Sequence, residues 1–272
     1  MVSRKNLLAL IEQHYPALPP SSRAIANYLQ KNPLAMLSQS VADIAGNTST
    51  SKATVSRFFR QLGFESHQDA KQNYLALRQS GVPLETATAP TDQAKQELAN
   101  LQLTYHNLDS EALQVITEKL ATASRITVIG FRNAYPMALH FRQQLKQIRS
   151  TVRLLPQPGQ TLGEDLLDMA EDEVIILMGF RRRTRIFSSL VEILKDRYTV
   201  LITDPTGQVY NQKVNHLIVC HLGQDSPFDS YAAPMSVISL LCNRVYLQLG
   251  DSAFNRSDRI TRAYDQLGEL EP

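Results

Sequence analysis

This chain has no long apolar run, almost no cysteine and no marked excess of charge of either sign, and each absence removes a class of function. No stretch approaches the roughly 18 apolar residues that a membrane-spanning helix requires, so no membrane partner is expected. The start, MVSRKNLLALIEQHYP, has only Leu7–Ile11 as an apolar run before Glu12 closes it. That is too short for the core of a signal peptide. The two cysteines, Cys220 and Cys242, sit in apolar surroundings without metal-ligand spacing. They read as buried, reduced thiols of a cytoplasmic protein. Also missing are a Gly-Lys-Ser/Thr phosphate loop, a Ser/His/Asp arrangement and a Cys/His metal pattern. No catalytic residue, metal or cofactor is therefore expected.

What is present begins with an asymmetry inside the net charge of +2. Residues 1–80 hold nine Lys/Arg and four Asp/Glu, and the remainder holds 19 and 22. A basic first segment on a mildly acidic body points to a nucleic-acid partner for that segment alone. The 43% hydrophobic and 20% charged content is that of a globular protein, and 272 residues suit one or two domains.

The basic part is organised around Ser40–Phe64, SVADIAGNTSTSKATVSRFFRQLGF. Val41, Ile44 and Ala45 give a short apolar helix face at i, i+3, i+4. Gly46-Asn47 and Thr48-Ser49-Thr50-Ser51 interrupt it with turn residues, and Ser51 or Thr50 can cap the next helix. There Val55, Phe58, Phe59 and Leu62 repeat at i, i+3, i+4, i+7, and Gly63 stands where a glycine ends a helix. Lys52, Thr54, Ser56, Arg57 and Gln61 point away from that stripe, Arg60 lies at its edge, and no acid is among them. Such a face is either a solvated surface or a reader of DNA. The paired short helix and the all-basic charge favour DNA, with the first residues at base edges and the arginines and hydroxyls on phosphates. One such helix reads few base pairs. A homodimer, or a dimer of dimers, presenting helices about 34 Å apart to a palindromic or repeated operator is expected.

The same stretch resembles the helix-turn-helix of the MurR/RpiR family of bacterial transcriptional regulators. The matching residues are Ser40-Val41, Ile44-Ala45, Ser51, Ala53-Thr54-Val55, Arg57-Phe58 and Leu62-Gly63-Phe64. Two positions depart from the family. Ser49 stands where the turn usually holds glycine, which tolerates positive φ far better, and Thr50 replaces an aliphatic residue.

Residues 1–78 read as one all-helical domain. Its expected parts are a helix over residues 3–14, a break at Pro16, Pro19 and Pro20, and a helix capped by Ser21 or Ser22 with Ile25, Ala26 and Leu29 inward. A short turn through Leu34–Leu37 and a last helix from Ser66 to Arg78 complete it. Residues 79–92, QSGVPLETATAPTD, read as a linker. Residues 93–272 open with a helical stripe of Leu98, Leu101, Tyr105 and Leu108, then a helix capped by Asp109-Ser110. From Arg125 onward, β-rich runs at 126–130, 152–155, 174–178, 199–203 and 217–220 alternate with helices, among them 162–170, one from Thr184, and 230–249. Strands without polar alternation are buried on both faces, and alternation with helices implies a parallel sheet. The expected fold is thus α + α/β, an all-helical N-terminal domain followed by a three-layer αβα domain with a mostly parallel sheet of about five strands. The tail from Asp251 reads as an amphipathic helix with Ile260, Tyr264 and Leu267 on one side.

Ligands of open parallel sheets bind beyond the carboxyl ends of the strands. Two of those ends carry arginine. Arg132-Asn133 follow the first strand, and Arg181-Arg182-Arg183 follow the third, with Thr184 where the loop enters a helix. Such ends suit an anion. The bland alternative is arginines facing solvent or paired with Glu164 and Asp165.

This region resembles the SIS (sugar isomerase) domain that follows the helix-turn-helix in MurR/RpiR regulators. The resemblance implies a phosphorylated sugar or related metabolite that tunes DNA binding. The family's phosphate loops read Gly-x-Gly-x-Ser and Ser-x-Ser-Gly-x-Thr. The first falls on Gly130-Phe131-Arg132-Asn133-Ala134, without the second glycine or the serine. The second falls on Gly179-Phe180-Arg181-Arg182-Arg183-Thr184, where only the threonine remains. Arginine there fits a phosphate, a carboxylate, or a pocket that has lost its ligand and only dimerises. An isomerase on this fold needs a general base over the sugar carbons. His140, Glu164, His216 and His221 are the candidates, each read as structural. The expectation is a regulator that reads its operator through Ser51, Lys52, Thr54, Ser56, Arg57, Arg60 and Gln61. It senses a small anionic metabolite through Arg132, Asn133, Arg181, Arg183 and Thr184. An isomerase-like enzyme and an effector-independent DNA-binding dimer are the alternatives.

Overall fold

The computed structural model of the protein describes residues 7–32, 35–79, 93–223 and 228–271. Apart from Gln79, the expected linker lies outside them. The chain divides into two compact units.

The first unit is all helical, with α1 (Leu7–His14), α2 (Pro20–Lys31), α3 (Ala35–Ser38), α4 (Val41–Asn47), α5 (Lys52–Gln61) and α6 (His67–Gln79). Its core gathers Ile11, Ile25, Leu29, Met36, Ile44, Val55, Phe58, Phe59 and Leu62, all but inaccessible. The Phe58 and Phe59 rings meet edge to face, 5.3 Å between centroids, and burying each side chain contributes about 2 kcal/mol. Pro20 begins α2 rather than preceding it: Pro19 is the N-cap and no serine caps the helix. A proline in the first turn gives up only an N–H that has no helical partner. Ser22 is instead buried and donates to Gln61 Oε1 at 3.2 Å, tying α2 to α5. The expected turn before Ser40 contains the one-turn helix α3.

Two caps set the geometry of the α4–α5 pair. The N–H of Ser40 donates to Asp43 Oδ2 at 2.8 Å, and Ser40 Oγ accepts from the Asp43 N–H at 3.2 Å. This reciprocal box holds the Asp43 carboxyl below its ordinary pKa. Ser51 caps α5, its Oγ accepting from the Thr54 N–H at 3.1 Å. Between the helices Ser49 has φ +51°, the conformation for which the family's turn uses glycine. Thr50 meets the Thr48 hydroxyl at 2.9 Å, and Thr48 in turn donates to the Ile44 carbonyl at 2.7 Å. A hydroxyl thus finds a partner where the family has an aliphatic side chain.

The second unit opens with α7 (Gln93–His106) and α8 (Ser110–Thr122). The rest alternates β1 (Ile126–Gly130), α9 (Ala134–Ile148), β2 (Val152–Leu155), α10 (Gly163–Leu167), β3 (Val174–Gly179), α11 (Phe187–Ile193), β4 (Thr199–Thr203) and β5 (His216–Val219), then α12 (Ala232–Leu249) and α13 (Asp251–Leu267). The five strands are all parallel in the order β2-β1-β3-β4-β5. Along each strand side chains alternate between two cores. Val128, Ile176, Met178 and Ile202 face the core that contains α8, α9 and α12 residues. Ile129, Leu155, Leu177 and Leu201 face Phe187, Leu190 and Val191 of α11. This is the expected three-layer arrangement.

Local details depart from the sequence pattern. In α7 the buried residues are Asn100 and Thr104, while Leu98 and Tyr105 are 60% and 42% exposed. Half of the expected stripe therefore turns outward, while Leu101 is half-buried and Leu108 packs against the core, and Thr104 Oγ1 accepts from the His221 N–H at 2.9 Å. Helix α10 is shorter than the expected 162–170, and α11 starts at Phe187, three residues after Thr184. Asp204 caps a 3-10 helix, Pro205–Lys213, rather than a simple loop. On α13, Ile260 and Tyr264 are half-buried but Leu267 is 70% exposed. Glu173, fully buried just before β3, holds Arg125 at 3.0 Å and Arg153 at 3.2 Å and stitches the strands' amino ends together. Both cysteines are buried and free. Burial pushes the Cys220 thiol up and that of Cys242 to about 12, so both stay protonated at neutral pH. No described helix is long and apolar enough to cross a membrane.

Candidate functional site

Helix α5 presents one side to the core and the other outward. Val55, Phe58 and Phe59 are buried, while Ser51, Lys52, Arg57, Arg60 and Gln61 are exposed and Thr54 and Ser56 half-buried. Among the described residues the side chains of Lys52, Arg57 and Arg60 make no hydrogen bond or ion pair, so their charges stand free. Ser51 and Thr54 hydroxyls pair at 2.9 Å, and Gln61 Oε1 accepts from Ser22, which leaves its amide N–H donors and one acceptor site for a partner. Sequence reasoning passed over Ala53. It is exposed between Lys52 and Arg57, and its small size lets a partner approach the first turn closely. The signal was available as the sole apolar residue on the outer face.

The second candidate region lies where the strand order turns. The chain runs from β1 outward to β2, then returns across β1 to β3, so the carboxyl ends of β1 and β3 lie side by side. This is the crevice position for ligands of such sheets. Gly130 and Gly179 are required for packing: a Cβ would meet the Ala134 carbonyl at 2.7 Å in one and the Phe187 ring at 2.2 Å in the other. Beyond them Arg132 has φ +53° and Arg182 φ +65°. These are the two positions at which the resemblance placed a loop glycine. The loops keep glycine's backbone conformation while holding arginine, at a strain of about 1 kcal/mol or more each. Arg132 Nη1 donates to the Arg182 carbonyl at 3.0 Å and locks the loops together. Asn133 reaches the Tyr231 hydroxyl at 3.2 Å.

The other expected residues divide. Arg183 is engaged internally, paired with Asp204 at 2.7 Å and hydrogen-bonded to Thr206 at 2.9 Å. Its guanidinium also lies against the Phe187 and Tyr210 rings. Arg181, two residues before it, is half-buried. Thr184 does not open a helix, but its hydroxyl is buried without a hydrogen-bond partner. Arg183 thus serves as an internal brace, and Arg132, Asn133, Arg181, Arg182 and Thr184 remain as candidates for an anion.

The candidate bases lie on separate elements. His140 is in α9, Glu164 in α10, His216 opens β5 at the opposite end of the strands, and His221 follows β5. Burial lowers the pKa of His216 and His221. Glu164 is lowered by its own backbone and by Thr161. No hydrogen bond joins any two of them among the described residues.

Comparison with known proteins agrees with both halves. A family model described as the helix-turn-helix domain of the rpiR family matches residues 5–79, and one for the SIS domain matches residues 119–244. The chain is 21% identical to the HTH-type transcriptional regulator HexR of Escherichia coli K12, over 95% of this chain and 94% of that protein. Among solved structures, the Vibrio vulnificus NanR protein complexed with ManNAc-6P superposes with a TM-score of 0.58 at 18% identity, covering 96% of this chain and 99% of that one. The sugar isomerase domain of an RpiR transcription factor from Sphaerobacter thermophilus gives 0.56 at 18% identity, covering 62% and 95%. With an rpiR-type helix-turn-helix ahead of a five-stranded parallel SIS domain, the chain belongs to the RpiR family of DNA-binding transcriptional regulators.

Proposed function

We propose that this regulator reads operator DNA with α5 and that a small anionic metabolite, a sugar phosphate or a carboxylate, tunes that binding from the β1–β3 crevice. The DNA-binding part is residues 1–78, residues 79–92 are the linker, and residues 93–272 hold the effector and the homodimer contact. The carrying observation is the outer face of α5, where three unpaired cations surround an exposed Ala53 on a capped, well-anchored helix. Lys52 and Ser51 sit where the free N–H groups of the first turn add a phosphate contact. Arg57 is placed for a base edge, Ala53 for a thymine methyl, and Arg60 for phosphate. Thr54, Ser56 and Gln61 complete the face.

The two arginines in left-handed backbone conformation support the effector half. Backbone strain of this kind persists where a fixed loop shape is needed, and guanidinium binds phosphate or carboxylate bidentately. That a relative's structure holds ManNAc-6P supports the phosphorylated choice. The scattered candidate bases favour sensing over isomerisation, and the protein works in the cytoplasm as a homodimer or dimer of dimers.

The test is fluorescence anisotropy with DNA fragments from upstream of the protein's own gene and its neighbours, titrated with hexose phosphates and carboxylate metabolites. One fragment binds tightly, and one metabolite changes its affinity at least fivefold without being consumed. Turnover of a sugar phosphate by the purified protein would instead establish an enzyme. Unchanged affinity with every metabolite would leave a DNA-binding dimer without an effector.

A further inference from the structure

We propose that a cavity at the amino-terminal end of the sheet, opposite the β1–β3 crevice, binds the phosphate group of a small polyhydroxylated metabolite. The cavity measures about 660 Å³ and is bounded by the segments entering β1 and β2, the end of α9 and the first turns of α13. Its volume falls within the roughly 300–1,000 Å³ of small-molecule sites.

The charge lining this cavity is unbalanced. Three arginines, Arg149, Arg256 and Arg259, line the cavity, and no carboxylate does. Elsewhere in this unit Arg125, Arg153, Arg183 and Arg262 each face an acid. Here the partners are neutral. Arg149 donates through Nη1 and Nη2 to the carbonyls of Ala121 and Ala123, and its Nε is buried without a partner. Arg256 donates twice to the Lys146 carbonyl, at 3.2 and 2.9 Å. Arg259 is exposed and makes no hydrogen bond or ion pair among the described residues. Lys146 adds a fourth positive charge nearby, its pKa lowered by burial and by Arg142 and Arg256. No acid is in the lining: Asp172 accepts from the Ser124 hydroxyl at 2.7 Å, Asp258 pairs with Arg262 at 2.7 Å, and Asp251 is exposed on the first turn of α13.

Carbonyl partners leave the guanidinium charge in place, and an anion placed among three such groups gains charge-assisted hydrogen bonds from each. The remaining lining suits a polyol, since the side chains of Ser150, Ser252 and Asn255 have no hydrogen-bond partner among the described residues. Helix α13 has one buried side chain, Ala253. A ligand bridging Arg256 and Arg259 to the β1–β2 entry would therefore clamp this lightly held helix. The inference does not depend on the reading of the crevice.

The test uses the full chain carrying Arg132→Gly and Arg182→Gly, which removes the two crevice arginines in left-handed backbone conformation. Glucose 6-phosphate and inorganic phosphate are titrated by calorimetry at constant ionic strength. Both bind, the sugar phosphate more tightly, and adding Arg259→Gln weakens both at least tenfold while Arg259→Lys retains most of the affinity. Arg259 has no internal partner, so these variants fold normally. Absence of binding in the crevice-deficient chain, an affinity indifferent to Arg259→Gln, or the same response to chloride would overturn the proposal.

Discussion

Helix α5 and the loops beyond β1 and β3 are both rich in arginine, yet they handle the charge in opposite ways. On α5 the cations are exposed and, among the described residues, make no hydrogen bond or ion pair. In the loops Arg183 is locked onto Asp204, and Arg132 reaches across to the neighbouring loop's backbone. A regular helix whose inner face is filled by Val55, Phe58 and Phe59 can leave its outer face wholly to a partner. Loops that must adopt left-handed backbone without glycine need internal braces before they can offer anything outward. An arginine's presence thus says little about its task. The backbone that carries it decides whether the charge faces outward or holds the scaffold.

The largest test of that contrast is Arg183→Ala. It leaves the buried Asp204 carboxylate unpaired and should destabilise the second unit by about 3–5 kcal/mol in urea denaturation. A loss under about 1 kcal/mol would mean that Arg183 is as free as the α5 cations. Arg57→Ala is the complementary change. It should weaken operator binding by about 1–3 kcal/mol with no shift in the melting temperature, and a protein that melts earlier would show that Arg57 braces α5 after all. Arg132→Gly with Arg182→Gly should keep the loop shape, leave stability equal or slightly higher, and cost about 1.4 kcal/mol or more of effector affinity, a tenfold loss. An unaltered effector response would move the effector elsewhere. The smallest change is Ser49→Gly, which relieves the positive φ in the α4–α5 turn. Stability should rise by less than about 1 kcal/mol with operator affinity unchanged, and a loss of stability would show that the Ser49 side chain holds the turn.

The same contrast explains how far the sequence could be read. Helix α5 was legible because a 3.6-residue period places Val55, Phe58 and Phe59 on one face without tertiary information. The strands were legible because continuous runs such as Val174–Met178 suit only a sheet covered on both sides. Ser49, Arg132 and Arg182 were marked as departures from glycine, and all three have positive φ. Hidden from the sequence was whatever depended on distant partners. Arg183 finds its acid 21 residues away, and the Phe187 ring closes over Gly179 at the start of α11. In α7 Leu98 and Leu103 turn outward while Asn100 and Thr104 face inward. The cavity beside α13 draws on four segments, none of which carries a motif.

The most direct measurement of the central claim is binding of the full chain to DNA from upstream of its own gene over a series of salt concentrations, beside the Arg57→Ala variant. The account predicts tight binding to one fragment, affinity falling steeply as salt rises, and a lower affinity with a shallower slope for the variant. Weak binding of equal strength to every fragment, indifferent to Arg57→Ala, would contradict it.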